Sequence, residues 1–166
     1  KYYDKMPDIV AKNMEKINKI SGCNYKPFNY YGDENATHVI VSMGSVCDTV
    51  KTVVDKLNKE NKHVGLIEVH LYRPFSAEYF LKELPNTTKT IAVLDRTKEP
   101  GSTGEPLYLD VLEVLKEKNI KVYDKECPMF VPIIEGKNKE DINKYIEEYL
   151  LDYKNKNIDL IILGCT

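Results

Sequence analysis

Thr88–Leu115, TKTIAVLDRTKEPGSTGEPLYLDVLEVL, is the stretch on which the reading of the fold turns. Ile91-Ala92-Val93-Leu94 is a short apolar run with the length and β-branched content of a buried strand. Asp95-Arg96-Thr97-Lys98-Glu99-Pro100-Gly101 follows, four charges closed by a Pro-Gly turn signal. Beyond Gly104-Glu105-Pro106 the period becomes helical, with Leu107, Val111, Leu112 and Leu115 on one face. Strand, charged loop and helix form the unit from which open parallel sheets are built. Ligands and partners of such sheets gather beyond the carboxyl ends of the strands. By spacing alone the loop reads as solvated surface.

The same unit occurs twice upstream. His38-Val39-Ile40-Val41-Ser42-Met43 is a strand candidate, and Val46, Val50, Val53, Val54 and Leu57 mark a helix face with Ser45 as its expected N-cap. Val64–Leu71 is a second strand, stopped by Pro74, with Ser76 expected to cap a helix running to Leu84. Three strand–helix units in a row predict a mainly parallel sheet with helices on both faces, a three-layer αβα fold. At the amino end, Met6, Ile9, Val10, Met14, Ile17 and Ile20 recur at helical spacing, Pro7 suits the first turn and Gly22 can stop the helix. Asn24–Gly32 is aromatic without a clear period and reads as a packed connector. Cys47, in the first turn of its helix, reads as a small buried filler. His63 and His70 have no second ligand at metal spacing.

Composition narrows the class of function. The chain has 166 residues, is 42% hydrophobic and 30% charged, and carries a net charge of −2. That is the profile of a soluble globular domain, and it argues against nucleic-acid binding, which calls for a basic face. No apolar run approaches the ~18 residues of a membrane span, and no signal peptide opens the chain. It begins at Lys1 rather than Met and reads as a piece of a longer protein. Its four cysteines, Cys23, Cys47, Cys127 and Cys165, form no C-x-x-C pair. This speaks against a zinc site, a cluster or a disulfide framework, and for a reducing, cytoplasmic setting.

Leu94–Gly101, continued by Gly104-Glu105-Pro106-Leu107-Tyr108-Leu109-Asp110-Val111, resembles pyruvate:ferredoxin (flavodoxin) oxidoreductase. The similarity is to that enzyme's second domain, itself related to the C-terminal domain of transketolase. Leu71-Tyr72-Arg73-Pro74-Phe75 matches the same group, and the aromatic segment resembles the arm leading into the domain. The resemblance implies an enzyme that oxidatively decarboxylates pyruvate to acetyl-CoA and passes electrons to ferredoxin. Thiamine diphosphate, magnesium, CoA and iron–sulfur clusters would be held by domains other than this one, whose expected partners are those domains. Arg73, Asp95, Arg96, Lys98 and Glu99 are the expected interdomain docking residues. From the residues alone, Arg73 reads first as an arginine bonded to a neighbouring loop carbonyl or carboxylate, and second as a bidentate grip on a carboxylate or phosphate.

From about residue 119 a second resemblance takes over. Cys127-Pro128-Met129-Phe130-Val131-Pro132 and Ile158-Asp159-Leu160-Ile161-Ile162-Leu163-Gly164-Cys165-Thr166 are similar to segments of glutamate racemase, a cofactor-independent enzyme with two opposed cysteines. That likeness implies Cys165 as a catalytic cysteine, with Thr166 and Glu135 as substrate-binding residues. The family's first cysteine, its Asp-Ser-Gly-x-Gly-Gly segment and the histidine after the second cysteine have no counterpart here. The chain thus reads in three parts: 1–36, a helix and aromatic arm; 37–118, the oxidoreductase-like unit; and 119–166, a racemase-like strand–helix–strand tail, fused or chimeric.

Three functions follow: a non-catalytic structural piece of the oxidoreductase, a partial racemase, or an isolated α/β module that binds a partner through Arg96–Gly101. A two-base reaction cannot run on one base, and the carboxylate expected beside Cys165 disfavours its thiolate. Incubated with L-glutamate in deuterated water, the protein is expected to show no α-proton exchange by NMR above the buffer rate. Exchange that disappears in Cys165→Ser would show half a site working as a base.

Overall fold

The computed structural model describes residues 2–95, 97, 99–120, 122–126, 144 and 160–165. Arg96, Lys98, Cys127, Glu135 and Thr166 lie outside the described residues. The elements in chain order are helix α1 (Met6–Ser21), strands β1 (Phe28–Gly32) and β2 (His38–Ser42), helix α2 (Val46–Lys59), strand β3 (Val64–Val69), helix α3 (Ala77–Glu83), strand β4 (Thr90–Leu94), helix α4 (Pro106–Glu117), and strands β5 (Val122–Glu126) and β6 (Leu160–Cys165).

Among the described residues these strands form one sheet in the order β1-β3-β2-β4-β6-β5. Every pairing is parallel except β1 with β3, which is antiparallel at the edge. The three expected strand–helix units are present, and the sheet reverses its direction of growth at β2: α2 leads to β3 on one side, and α3 returns past β2 to β4 on the other. The strands expected in the tail, β5 and β6, continue this sheet. Thr90, Ala92 and Leu94 of β4 stand opposite Ile161, Leu163 and Cys165 of β6.

A parallel sheet with crossover helices must bury both faces, and the sequence of β3, Val64-Gly65-Leu66-Ile67-Glu68-Val69, is accordingly almost unbroken in its apolar character. Alternate residues serve opposite layers. Val39, Val41, Ile67, Val69, Ile91 and Val93 pack with Phe80 and with Leu107, Val111, Leu112 and Leu115 of α4. Val64 and Leu66 face Cys47, Val50 and Val54 of α2, with Ile40, Leu57 and Leu94 packed alongside. The αβα layering is thus in place, with α2 on one face and α3 and α4 on the other, and Cys47 is a buried filler at 3% exposure.

The aromatic segment read as a connector is in part a strand. Phe28 is buried at the end of β1, edge-on to Phe75 and Phe80 at centroid separations of 5.1 and 5.7 Å. Tyr30 also packs against this core. The strand escapes a polarity reading because Tyr30 packs its ring while keeping a polar tip, and Tyr31 beside it is exposed. Two expected caps also differ. Ser45 and Ser76 make no side-chain bond to the helices they precede, although Ser76 contributes its carbonyl to the Phe80 N–H at 3.0 Å. Gly22 does end α1, at φ 71°, with its N–H donating to the Asn18 carbonyl at 2.9 Å.

Where β1 meets β3, Gly32 stands opposite Gly65. The Tyr30 ring lies over Gly65, and its hydroxyl donates to the Asp33 carbonyl. Burial first, then the Asp33 and Glu34 carboxylates, push the Tyr30 phenol up to about 12. A Cβ on Gly65 would overlap that hydroxyl and come 2.6 Å from Cζ. Gly65→Ala is expected to cost about 1–3 kcal/mol, the usual range for overpacking, in a urea unfolding experiment. In a Tyr30→Ala background most of that cost should vanish, because the two positions share one volume. Equal costs in both backgrounds would show that the ring is not what Gly65 accommodates.

Candidate functional site

The carboxyl ends of the central strands bring together three loops. β3 runs into Leu71-Tyr72-Arg73-Pro74, with a cis Arg73–Pro74 peptide; β4 runs into Asp95; and α4 begins at Pro106. Across these segments Arg73 donates one Nη to an Asp110 carboxylate oxygen. Its other Nη donates to the Tyr72 hydroxyl at 2.9 Å, while the guanidinium carbon stands 4.0 Å from the centroid of the Tyr72 ring. Burial raises the Tyr72 phenol above its usual range; the Asp110 and Asp95 carboxylates add to that rise, and Arg73 opposes it.

The loop after β4 is organised from within. Asp95 Oδ2 accepts the Leu107 N–H at 2.7 Å, in the first turn of α4, and its Oδ1 accepts the Thr97 N–H at 3.0 Å. A carboxylate there satisfies an otherwise orphaned donor and lies at the favourable end of the helix dipole. Glu105 is 6% exposed and accepts the Glu99 N–H at 3.0 Å. The Ser102 hydroxyl donates to the Gly104 carbonyl at 2.7 Å. Asp95 therefore has a structural duty within the chain, and Glu99 is held by its backbone while its side chain is exposed.

The expected docking residues thus divide. Arg73 and Asp95 come together at the carboxyl edge, with Arg73 engaged by a neighbouring carboxylate as its alternative reading had it. Asp110 and Tyr72, the residues that fix Arg73, were not singled out in the sequence. Asp110 falls one turn into a helix whose apolar stripe dominates the pattern, and nothing local relates it to Arg73. Cys165 ends β6 directly opposite Leu94, so its backbone does emerge at the carboxyl end of a strand. Arg96, Lys98, Glu135 and Thr166 are outside the described residues.

A half-exposed guanidinium fixed between a carboxylate and an aromatic ring is suited to gripping a carboxylate, phosphate or carbonyl. It is not a nucleophile or a proton-transfer pair. Among the described residues there is no group of three or more His, Cys, Asp or Glu side chains that could hold a metal ion. No helix among them is long and apolar enough to cross a membrane.

Residues 36–137 match the family model described as pyruvate:ferredoxin oxidoreductase core domain II. The pyruvate:ferredoxin oxidoreductase of Moorella thermoacetica is 55% identical over 123 residues, covering 73% of this chain and 10% of that protein. The pyruvate-flavodoxin oxidoreductase of Klebsiella pneumoniae is 49% identical over 131 residues, covering 79% of this chain and 11% of that protein. The chain therefore spans about a tenth of the length of these curated relatives. The family match passes Lys118, where the oxidoreductase-like unit was expected to end, and takes in Glu135. None of these matches supports the likeness of residues 119–166 to glutamate racemase, from which the roles expected of Cys165, Thr166 and Glu135 were taken. The chain belongs to the pyruvate:ferredoxin oxidoreductase family and carries that family's core domain II.

Proposed function

We propose that this chain works as a non-catalytic structural domain within a cytoplasmic enzyme that oxidises pyruvate and reduces ferredoxin or flavodoxin. The observation that carries the reading is the extent of the likeness: about half the aligned residues are identical, yet the alignment takes up only 10–11% of each relative. Thiamine diphosphate, magnesium, CoA and iron–sulfur clusters are assigned to the other nine-tenths of such an enzyme. The exposed thiol of Cys23 and the unpaired, buried Cys47 suit a reducing compartment.

In this reading the carboxyl edge of the sheet is a docking surface. Arg73 is its fixed cation, and Arg96, Lys98 and Glu99 supply charge beside it. Asp95 belongs to the edge as the group that holds the loop in shape. Tyr72 and Asp110 keep the guanidinium in one orientation, which lowers the entropy lost when a partner is bound.

Two outcomes are expected. Supplied with pyruvate, thiamine diphosphate, magnesium, CoA and ferredoxin, the pure chain should give no steady reduction of ferredoxin followed spectroscopically; sustained reduction would overturn the non-catalytic assignment. In chemical unfolding, Arg96→Ala combined with Lys98→Ala should change stability by no more than about 0.5 kcal/mol, as for ordinary surface positions. Asp95→Ala should cost about 1–2 kcal/mol, as loss of a helix cap does. A cost of several kcal/mol for the Arg96 and Lys98 pair would place those side chains in an internal network and remove them from the docking surface.

A further inference from the structure

Helix α1 has an apolar stripe, but the stripe is turned only partly toward the rest of the domain. Pro7 is its one buried residue. The contacts that hold α1 down are largely polar: Tyr79 donates to Asp8 at 2.9 Å, and the Asn18 amide clips the Tyr25 backbone with two bonds of 2.8 Å. Ile9 and Ile17 are about half exposed and Ile20 is 89% exposed. At about 100° per residue these three fall within roughly a quarter turn of one another. Just before the helix, Tyr2 and Tyr3 are 87% and 75% exposed. Tyr2, Met6 and Ile9 help line an open cleft of about 600 Å³.

One flank of this apolar sector is basic. Lys12, Lys16 and Lys19, all exposed, lie within about 60° of one another directly beside it by the same helical count. An apolar stripe with a lysine border is costly to leave in water and fits a groove that is apolar along its floor and acidic along one rim. The family match begins at residue 36, so α1 precedes the segment that defines the core domain. About nine-tenths of each relative's length lies outside the aligned region, which supplies ample surface for such a groove in the same polypeptide.

We infer that the Ile9–Ile17–Ile20 face of α1, with its lysine border, docks into an acid-rimmed apolar groove on another domain of the same oxidoreductase polypeptide. This rests on the domain reading given above. The contact is separate from the carboxyl edge of the sheet and gives the domain a second point of attachment, through a helix rather than a loop.

Hydrogen exchange followed by mass spectrometry tests it, comparing α1 peptides in the 166-residue chain with the same peptides in the full oxidoreductase polypeptide that carries it. Exchange at least tenfold slower in the full polypeptide is expected. Ile17→Asp with Ile20→Asp should abolish that difference, and Lys12→Glu with Lys16→Glu, which leaves the apolar face intact, should reduce it. Both variants should unfold within a few degrees of the parent as isolated chains. Equal exchange in the two contexts, in a polypeptide that does reduce ferredoxin with pyruvate, would overturn the docking while leaving the domain reading intact. A full polypeptide with no pyruvate-dependent ferredoxin reduction would overturn the domain reading itself. Dimerisation of the isolated chain that Ile20→Asp abolishes would make a second copy the occupant and overturn the proposal. So would binding to phosphatidylserine-containing vesicles that the same substitution abolishes, since a basic amphipathic helix is also the pattern of a membrane-surface element.

Discussion

A parallel sheet cannot leave either face in water, and this constraint governs the rest of the molecule. β2, β3 and β4 contribute side chains to both layers, and burial of each Val, Leu or Ile side chain is worth about 1.5–3 kcal/mol. One layer is closed by α2 through Cys47, Val50 and Val54, the other by α4 and the aromatic cluster of Phe28, Phe75 and Phe80. β1 contributes to the second layer by running antiparallel on the edge, where Phe28 plugs the space between β3 and α3. Gly65 is a consequence, since the Tyr30 ring that closes this edge needs room over the backbone.

The carboxyl edge shows how a charged loop is ordered from within. Its internal bonds use one carboxylate at each end, Asp95 on the first turn of α4 and Glu105 on the Glu99 backbone. Between them, Glu99 takes part through its backbone N–H while its side chain is exposed. Arg73 follows a related pattern from the neighbouring loop: Asp110 and Tyr72 fix its guanidinium, but its side chain remains about half exposed. Order in the loop after β4 is supplied by acids bonded to backbone, and in the loop after β3 by an acid bonded to a guanidinium.

A domain that belongs inside a larger enzyme need not satisfy all of its own surface. Compact domains use their interfaces with neighbours to cover apolar groups that would be a liability in isolation. Among the described residues, five of the eight large hydrophobics that are exposed lie between Tyr2 and Ile20. The core below them, by contrast, leaves only the Ser42 hydroxyl among the described buried side-chain polar atoms without a hydrogen-bond partner. The contrast separates a finished interior from an unfinished amino-terminal face.

The sequence alone determined the strand–helix alternation, the parallel sheet with helices on both faces, the ends of α1, and the family. These are written in local features: apolar runs of strand length, the 3.6-residue period, Gly22 as a stop, and a nearly ungapped motif around Leu94–Val111. Only the tertiary structure decided that Phe28–Gly32 is an edge strand, because the amphipathic Tyr30 hides its packed ring from any polarity count and Tyr31 stays exposed. Only the tertiary structure turned Asp95 into a cap for α4 and joined Arg73 to Asp110, because each pair is distant in sequence and converges where two strands end. It also placed Leu160–Cys165 beside β4, in a sheet shared with the segments before it. Local pattern reports what each segment becomes; hydrogen-bond partners and strand neighbours depend on the chain's path through space, which no local pattern contains.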